Sequence, residues 1–287
     1  MSRISVCLTY YDRPEKLVGT LESLARQTRR PDEVFLWDDC SPGRIDTVVA
    51  NYRSRFPHFV YHRNERNLGM PGNLNAVVAQ ATGDYVANLH DADVYHPTLL
   101  EKWGAALDAH TTAGFVFCRV GGRNQGQERR LCGCPALVPG REFNRCYFLN
   151  SWRGSSPVWG TVMGRRELYL RALPFEQRFG CVADVDMWMR LSLMADVAFV
   201  DQALISIDAD SHFVHGVNWD IVHALRRIHG ENARRMAVAT GHSAAFLRMG
   251  HWLALAPLYS LCVCSLLRHG RLRELGGILA PCEREAS

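Results

Sequence analysis

The first 120 residues alternate between short apolar runs and segments of helical period, and that alternation leaves few folds open. Ile4-Ser5-Val6-Cys7-Leu8 reads as a buried parallel strand that stops at the polar cluster Thr9-Tyr10-Tyr11-Asp12-Arg13. Leu17, Leu21, Leu24, Ala25 and Thr28 then share one helical face, which Asp12 and Glu15 open in a capping-box pattern with Pro14 in the first turn. After Pro31, Val34-Phe35-Leu36-Trp37 makes a second strand that ends in Asp38-Asp39-Cys40-Ser41-Pro42-Gly43. Strand, helix and strand in this order form a βαβ unit with a right-handed crossover. The pattern predicts further helices over 44–55, 73–81 and 97–109, and further strands over 59–62, 85–89 and 115–120. The expected class is α/β: a Rossmann-like, mostly parallel central sheet flanked by helices.

The second half is less regular. Residues 121–140 are rich in Gly, Arg and Gln and read as a loop excursion. A strand is expected over 155–163, a short helix over 165–172, and a helix over 184–195 that carries Asp184 and Asp186 in its first turn and buries Met187, Trp188, Leu191 and Met194. Two short strands, 197–200 and 204–207, lead to the His-rich SHFVHG at 211–216 and a long helix ending near Ala239. At 287 residues the chain has room for one α/β domain, placed at 1–210, and a C-terminal helical extension at 211–287.

Composition narrows the classes further. A hydrophobic share of 47% and a charged share of 22% are those of a globular protein. With a net charge of +4 and no basic block larger than Arg129-Arg130, the chain has no nucleic-acid tract. The 10 cysteines are scattered through a chain too long to need a disulfide framework. Cys7, Cys118, Cys262 and Cys264 sit in apolar runs and read as small buried hydrophobes, and Cys132-Gly-Cys134 reads as structural. The chain opens Met-Ser-Arg and is in strand pattern by Ile4, so the expected location is cytoplasmic. Residues 252–267 are apolar but short for a membrane span and interrupted by Pro257. That stretch is open to three readings: a packed helix, a homodimer contact, or a peripheral contact at the inner face of the membrane.

The chemistry is expected at GDYVANLHDADVYHP, residues 83–97, where Asp91 and Asp93 stand just past a strand end. Ligands of open α/β sheets bind outside the carboxyl ends of the strands. Two carboxylates there can share a divalent cation, and an acidic turn is the bland alternative. No Gly-x-Gly-x-x-Gly follows the first strand and no Walker loop is present, which weakens dinucleotide and P-loop readings.

Five segments taken together carry a resemblance: ISVCLTYYDRPEKL, LESLARQT, WDDCSPG, the run from RNLGMPGNLNAVV to HDADVYHP, and VADVDMWMRL. They resemble the blocks of the inverting glycosyltransferases of family 2, which have a GT-A fold, over roughly Ile4 to Ile207. The resemblance implies a nucleotide-binding half at 1–120 and an acceptor-binding half at 121–210. It implies that Thr9 and Tyr11 line the nucleoside pocket, with Tyr11 on the base, and that Asp39 accepts from the N3 imide of uracil or thymine, favouring a UDP or dTDP sugar. Arg66, Asn67 and Gly69 would lie near the phosphates or sugar, as would Asp91, and Asp184 would be the catalytic base. A base at a helix start is kept ionised by the helix dipole; an N-cap is the plainer role for the same residue. Trp159 is the candidate platform for a carbohydrate or other hydroxyl-bearing acceptor, since sugar faces stack on indole. His212 and His215 are candidates to reach the diphosphate or a metal.

The acidic motif departs from its relatives. Where the family commonly reads Leu-Asp-x-Asp-Asp-Val, this chain has Leu89-His90-Asp91-Ala92-Asp93-Val94. A divalent ion, Mn2+ or Mg2+, then falls to Asp91, Asp93 or both, with His90 as an imidazole donor that suits manganese better. Two rivals stand beside the transferase. The substituted motif fits an inactive sugar-nucleotide-binding module. A sugar nucleotidyltransferase would need a Gly-rich phosphate loop, and Thr9 to Arg13 contains no Gly.

Overall fold

A computed structural model describes residues 2–121, 131–149, 156–207 and 219–241, with Ser260, Val263 and Cys264. Strands β1 (Ile4–Tyr10), β2 (Glu33–Asp38), β3 (Phe59–Arg63) and β4 (Tyr85–His90) lie in the order β3-β2-β1-β4, all parallel. Their crossovers are α1 (Pro14–Ala25), α2 (Asp46–Arg53) and α3 (Gly69–Val78). Because successive strand side chains point to opposite faces, each strand feeds two cores. Val6, Leu8, Leu36, Ala87 and Leu89 meet α1, α2 and α4 (Leu99–Ala109) on one face. Cys7, Phe35, Trp37 and Val86 meet α3 on the other. Leu17, Leu21 and Leu24 of α1 are fully buried, each contributing about 1.5–3 kcal/mol of hydrophobic stabilisation.

Beyond β4 the sheet continues through β8 (Val162–Arg165), β6 (Ala113–Gly121) and β9 (Asp196–Ile207) to β5 (Asp93–Tyr95), with β7 (Leu137–Val138) also on β9. β8 is antiparallel to both β4 and β6, so β6 and its parallel partner β9 run with the first four strands. β5 and β7 run against β9. The sheet is thus mixed and mostly parallel, as the alternation of apolar runs leads one to expect. Helices α5 (Gly140–Phe143), α6 (Arg166–Ala172), α7 (Ala183–Met194) and α8 (Trp219–Thr240) complete the described elements, with a π-helical turn at Asn144–Leu149 and a 3-10 turn at Gln177–Val182. Leu225 and Ile228 of α8 enter the same core as Met187, Trp188 and Leu191 of α7.

Several local expectations change. The Asp12/Glu15 capping box does not form: α1 has Arg13 at its N-cap without a side-chain cap, and Asp12 takes a left-handed φ of 52° with its N–H donated to Ser41 Oγ. The strand expected from Ser155 starts only at Val162, because the carbonyl of Gly160 is taken by the Asn88 side chain instead of a ladder. The two short strands at 197–200 and 204–207 are one strand, β9, whose Asp201-Gln202 is a bulge opposite Cys118 and Arg119. Cys7 and Cys118 are buried as expected, whereas Cys264 is exposed. His212, His215, Cys262 and most of 252–267 lie outside the described residues. Among the described residues no helix is long and apolar enough to cross a membrane.

Candidate active site

Parallel register brings the ends of β1, β2 and β4 to one rim: Thr9 is level with Trp37 of β2 and His90 of β4. The tandem carboxylates after β2 divide their work. Asp38 is fully buried and accepts from Ser41 N–H at 2.8 Å, Ser41 Oγ at 2.5 Å and the Tyr61 phenol at 2.9 Å. Burial, together with the hydrogen bond to Asp38 and its charge, holds the Tyr61 phenol above its usual range, so it stays a donor. Asp39 uses Oδ1 to accept from Asn64 Nδ2 at 3.0 Å and from Leu68 N–H at 2.7 Å. Asn64 in turn donates to Asn73 Oδ1, and Asn73 donates to the Trp37 carbonyl. This buried amide chain ties the 64–68 loop to β2, and Asn67 closes its own turn by accepting from Gly69 N–H at 2.9 Å. Arg66 and Asn67 are exposed beside it, and Tyr11 stands 43% exposed past β1.

The acidic turn after β4 is fixed from several sides. Tyr95 OH accepts from His90 N–H at 2.9 Å and donates to the His90 carbonyl at 3.0 Å. Its phenol is held far above the ordinary range by burial and by the charge of Asp93. Asp91, buried at the rim, accepts from Tyr11 N–H at 3.0 Å and lies 3.6 Å from the Arg13 guanidinium. Asp93 is fully buried: Oδ2 accepts from Thr161 Oγ1 at 3.3 Å and lies 3.7 Å from His90 Nδ1, while its carbonyl accepts from Thr20. Ala92 is buried and offers no donor.

The opposite wall comes from the second half. The 3-10 turn before α7 is broken at Gly180, whose φ of 53° is one that glycine adopts without strain, and the chain then turns into α7. Asp184 and Asp186 both fall in the first turn of α7. Asp186 is fully buried between Arg190 at 2.8 Å and Arg235 at 2.7 Å, locking α7 to α8. Arg190 also donates to the carbonyls of Ala172 and Pro174. Asp184 is half-buried, with Oδ1 accepting from Val185 N–H at 2.9 Å. Its other oxygen reaches the bare Cα of Gly160: a Cβ built there would lie 3.1 Å from Asp184 Oδ2 and 2.8 Å from His90 Nε2. Trp159, half-buried against the core, precedes that glycine.

Thr9, Tyr11, Asp39 and Asp91 therefore share one corner, and His90, Asp93, Asp184 and Trp159 meet around Gly160–Thr161. His212 lies outside the described residues. Arg13, Asn88 and Gly160 escaped notice in the sequence. A polar Asn inside the apolar run Tyr85 to Leu89 was the available signal, since a buried amide must find partners. Among the described residues no group of three or more His, Cys, Asp or Glu could hold a metal ion by itself.

Comparison with known proteins bears on the family and the fold. The profile described as glycosyl transferase family 2 matches residues 5–171, more than half of the chain. The chain belongs to that family. A relative named as an uncharacterized glycosyltransferase, MJ1057 of Methanocaldococcus jannaschii, is 31% identical over 189 residues, 65% of this chain and 63% of its own length. The chain spans less than two thirds of the length of such curated family relatives. S. aureus TarS 1-349 in complex with UDP-GlcNAc superposes with a TM-score of 0.67 at 21% identity, covering 90% of this chain and 73% of that one. The mannosyltransferase PcManGT from Pyrobaculum calidifontis, in complex with GDP-Man and Mn2+, gives 0.62 at 16% identity, covering 96% and 81%. At these identities the likeness is one of fold, and the fold of this family member is GT-A.

Proposed function

We propose that the protein transfers a sugar, with inversion, from a nucleoside diphosphate sugar to an acceptor hydroxyl, and that Asp184 is the base. The observation that carries this reading is the meeting of Asp184 Oδ2 with the His90 edge of the acidic turn across Gly160. It brings a half-buried carboxylate to the rim where a diphosphate sugar would lie. Asp184 takes the acceptor proton as that oxygen attacks the anomeric carbon from the face opposite the leaving diphosphate. Trp159, next to Gly160 in the chain, supplies the stacking face for the acceptor. Holding the two reactants in line accounts for much of the rate.

On the donor side Tyr11 covers the base and Asp39 receives the N3 imide of uracil or thymine on the oxygen not used by Asn64 and Leu68. Such a contact selects UDP or dTDP over bases lacking a donor at that edge. Stacking on Tyr11 adds about 1–3 kcal/mol. Arg66 and Asn67 flank the phosphates.

The donor set fits a divalent ion that arrives with the diphosphate rather than a resident one, since hard cations are often held by one or two carboxylates plus substrate phosphates. Asp91 and Asp93 would hold it, with His90 as the nitrogen donor. When bound, the ion supplies a Lewis acid for the charge of the leaving group.

A screen of nucleotide sugars for manganese-dependent thermal stabilisation tests the reading, because selective binding to the folded state raises its melting temperature. UDP or dTDP sugars are expected to stabilise, and release of the nucleoside diphosphate is expected to need an acceptor. Stabilisation without any transfer would favour the inactive binding module, for which the His90 and Ala92 replacements are the motive. Synthesis of the sugar nucleotide from a triphosphate would favour a nucleotidyltransferase.

A further inference from the structure

We infer that Gly160 is a positioning residue for Asp184, its bare Cα being the spacer on which the His90 ring and the Asp184 carboxylate are set. The inference rests on the reading of Asp184 as base. A Cβ at Gly160 would lie 2.5 Å from His90 Cε1, 2.8 Å from Nε2 and 3.1 Å from Asp184 Oδ2. The first two distances are shorter than side-chain carbons tolerate, so the glycine is required for space.

A Cβ there has to displace the His90 ring, and both neighbours are held at their roots. The His90 backbone is bonded on both its N–H and its carbonyl to Tyr95, and its Nδ1 edge faces Asp93 at 3.7 Å. Asp184 is anchored through Oδ1 to Val185 N–H at the start of a helix that Asp186 locks to α8.

The glycine itself is pinned as firmly. Its carbonyl accepts from Asn88 Nδ2 at 2.6 Å, and Asn88 is fully buried two residues before His90 on the same face of β4. The next residue, Thr161, donates to Asp93 at 3.3 Å. Asn88, Gly160, Thr161, Asp93 and His90 thus close a ring of contacts, and Asp184 rests against it from outside. The ring transmits the register of β4 to a base carried on a helix nearly a hundred residues later. Tyr11 and Asp39 follow β1 and β2, outside the ring, and only the Tyr11 N–H comes near it, through its bond to Asp91.

The test uses the full chain. Gly160→Ala is expected to lower kcat by about 100-fold, because a misplacement near 1 Å acts on the reacting geometry, while the UDP affinity measured by calorimetry with a chelator present, where His90 and Asp93 have no ion to hold, changes by no more than about twofold. Thr161→Val keeps the side-chain shape, removes the bond to Asp93, and is expected to lower kcat by about tenfold. The His90 Hε1 and Cε1 resonances are expected to move in Asp184→Asn and in Gly160→Ala. Wild-type kcat and His90 signals in Gly160→Ala would overturn the inference, as would kcat and UDP affinity falling together. If Gly160→Ala does not fold, Thr161→Val kinetics and the His90 signals of Asp184→Asn decide in the same sense. If no nucleotide sugar is turned over by the wild type, the reading of Asp184 as base fails. The His90 signals then decide the spacer alone: shifts in both variants keep it and their absence ends it.

Discussion

The two walls of the site are built by different means. On the side proposed for the donor, the ends of β1, β2 and β4 bring Thr9, Asp39 and His90 to the rim by register, and a short amide chain holds the loop beside them. On the opposite side Asp184 stands at the start of a helix that shares a core with α8, and the setting of that start involves one buried ion triad and one glycine. A strand end shares its position with every neighbour in the ladder, so a lost contact there is spread over the sheet. A helix start held by a few groups concentrates the same loss on one atom. The donor wall should accordingly degrade gradually under mutation and the helical wall abruptly.

The largest effect expected from this contrast is in Asp184→Asn. Transfer should fall by about a thousandfold, within the usual span for general-base loss, with donor affinity near that of the wild type. Steady-state kinetics beside UDP calorimetry read both, and loss of donor binding in that variant would remove the base assignment. Asp186→Asn comes next. It leaves Arg190 and Arg235 without their buried partner, and denaturant titration should show a loss of about 3–5 kcal/mol. A loss below 1 kcal/mol would mean the triad is no more than a surface pair, and the contrast would be weaker than drawn.

On the donor wall, Asp91→Asn should weaken manganese-dependent UDP binding by about tenfold with little change in melting temperature. An unaltered manganese requirement would move the ion elsewhere. The smallest effect is expected from Tyr61→Phe. Removing the phenol that donates to Asp38 Oδ2 costs about 1 kcal/mol, read as a shift of the denaturation midpoint, because Ser41 still donates twice to Oδ1 and Arg63 stays 3.7 Å from Oδ2. A loss as large as that in Asp186→Asn would erase the distinction between the walls.

The donor wall was the legible one. Short apolar runs ending in Thr9-Tyr10-Tyr11 and Asp38-Asp39 announce both strands and rim, because buried parallel strands read as continuous apolar runs and release their polar residues on one edge. Asp184 was legible as an acid at a helix start. What the sequence hides is contact between residues far apart in it. Nothing in Trp159-Gly160-Thr161 says that the glycine meets His90, and the apolar letters around it suggested a strand. Nor does Asp12 followed by Glu15 reveal that Ser41 claims the Asp12 amide first. Local propensity lost in each case to a bond formed across the sheet. The roles of Asp38 and Asp186 were equally hidden. Asp38 and Asp39 are both buried, whereas of Asp184 and Asp186 one is half-exposed and the other sealed in the core, and only packing tells them apart.

The inverted course of β8 has a consequence for how such a chain can diversify. The parallel strands leave the sheet at the rim, whereas β8 enters it there, so Trp159 and Gly160 lie upstream of their strand. Residues added or removed next to Trp159 would change the approach to Gly160 while the order of β1, β2 and β4 stays as it is. One lineage could thus retain a nucleotide grip and exchange the molecule that receives the sugar by editing a single stretch of chain.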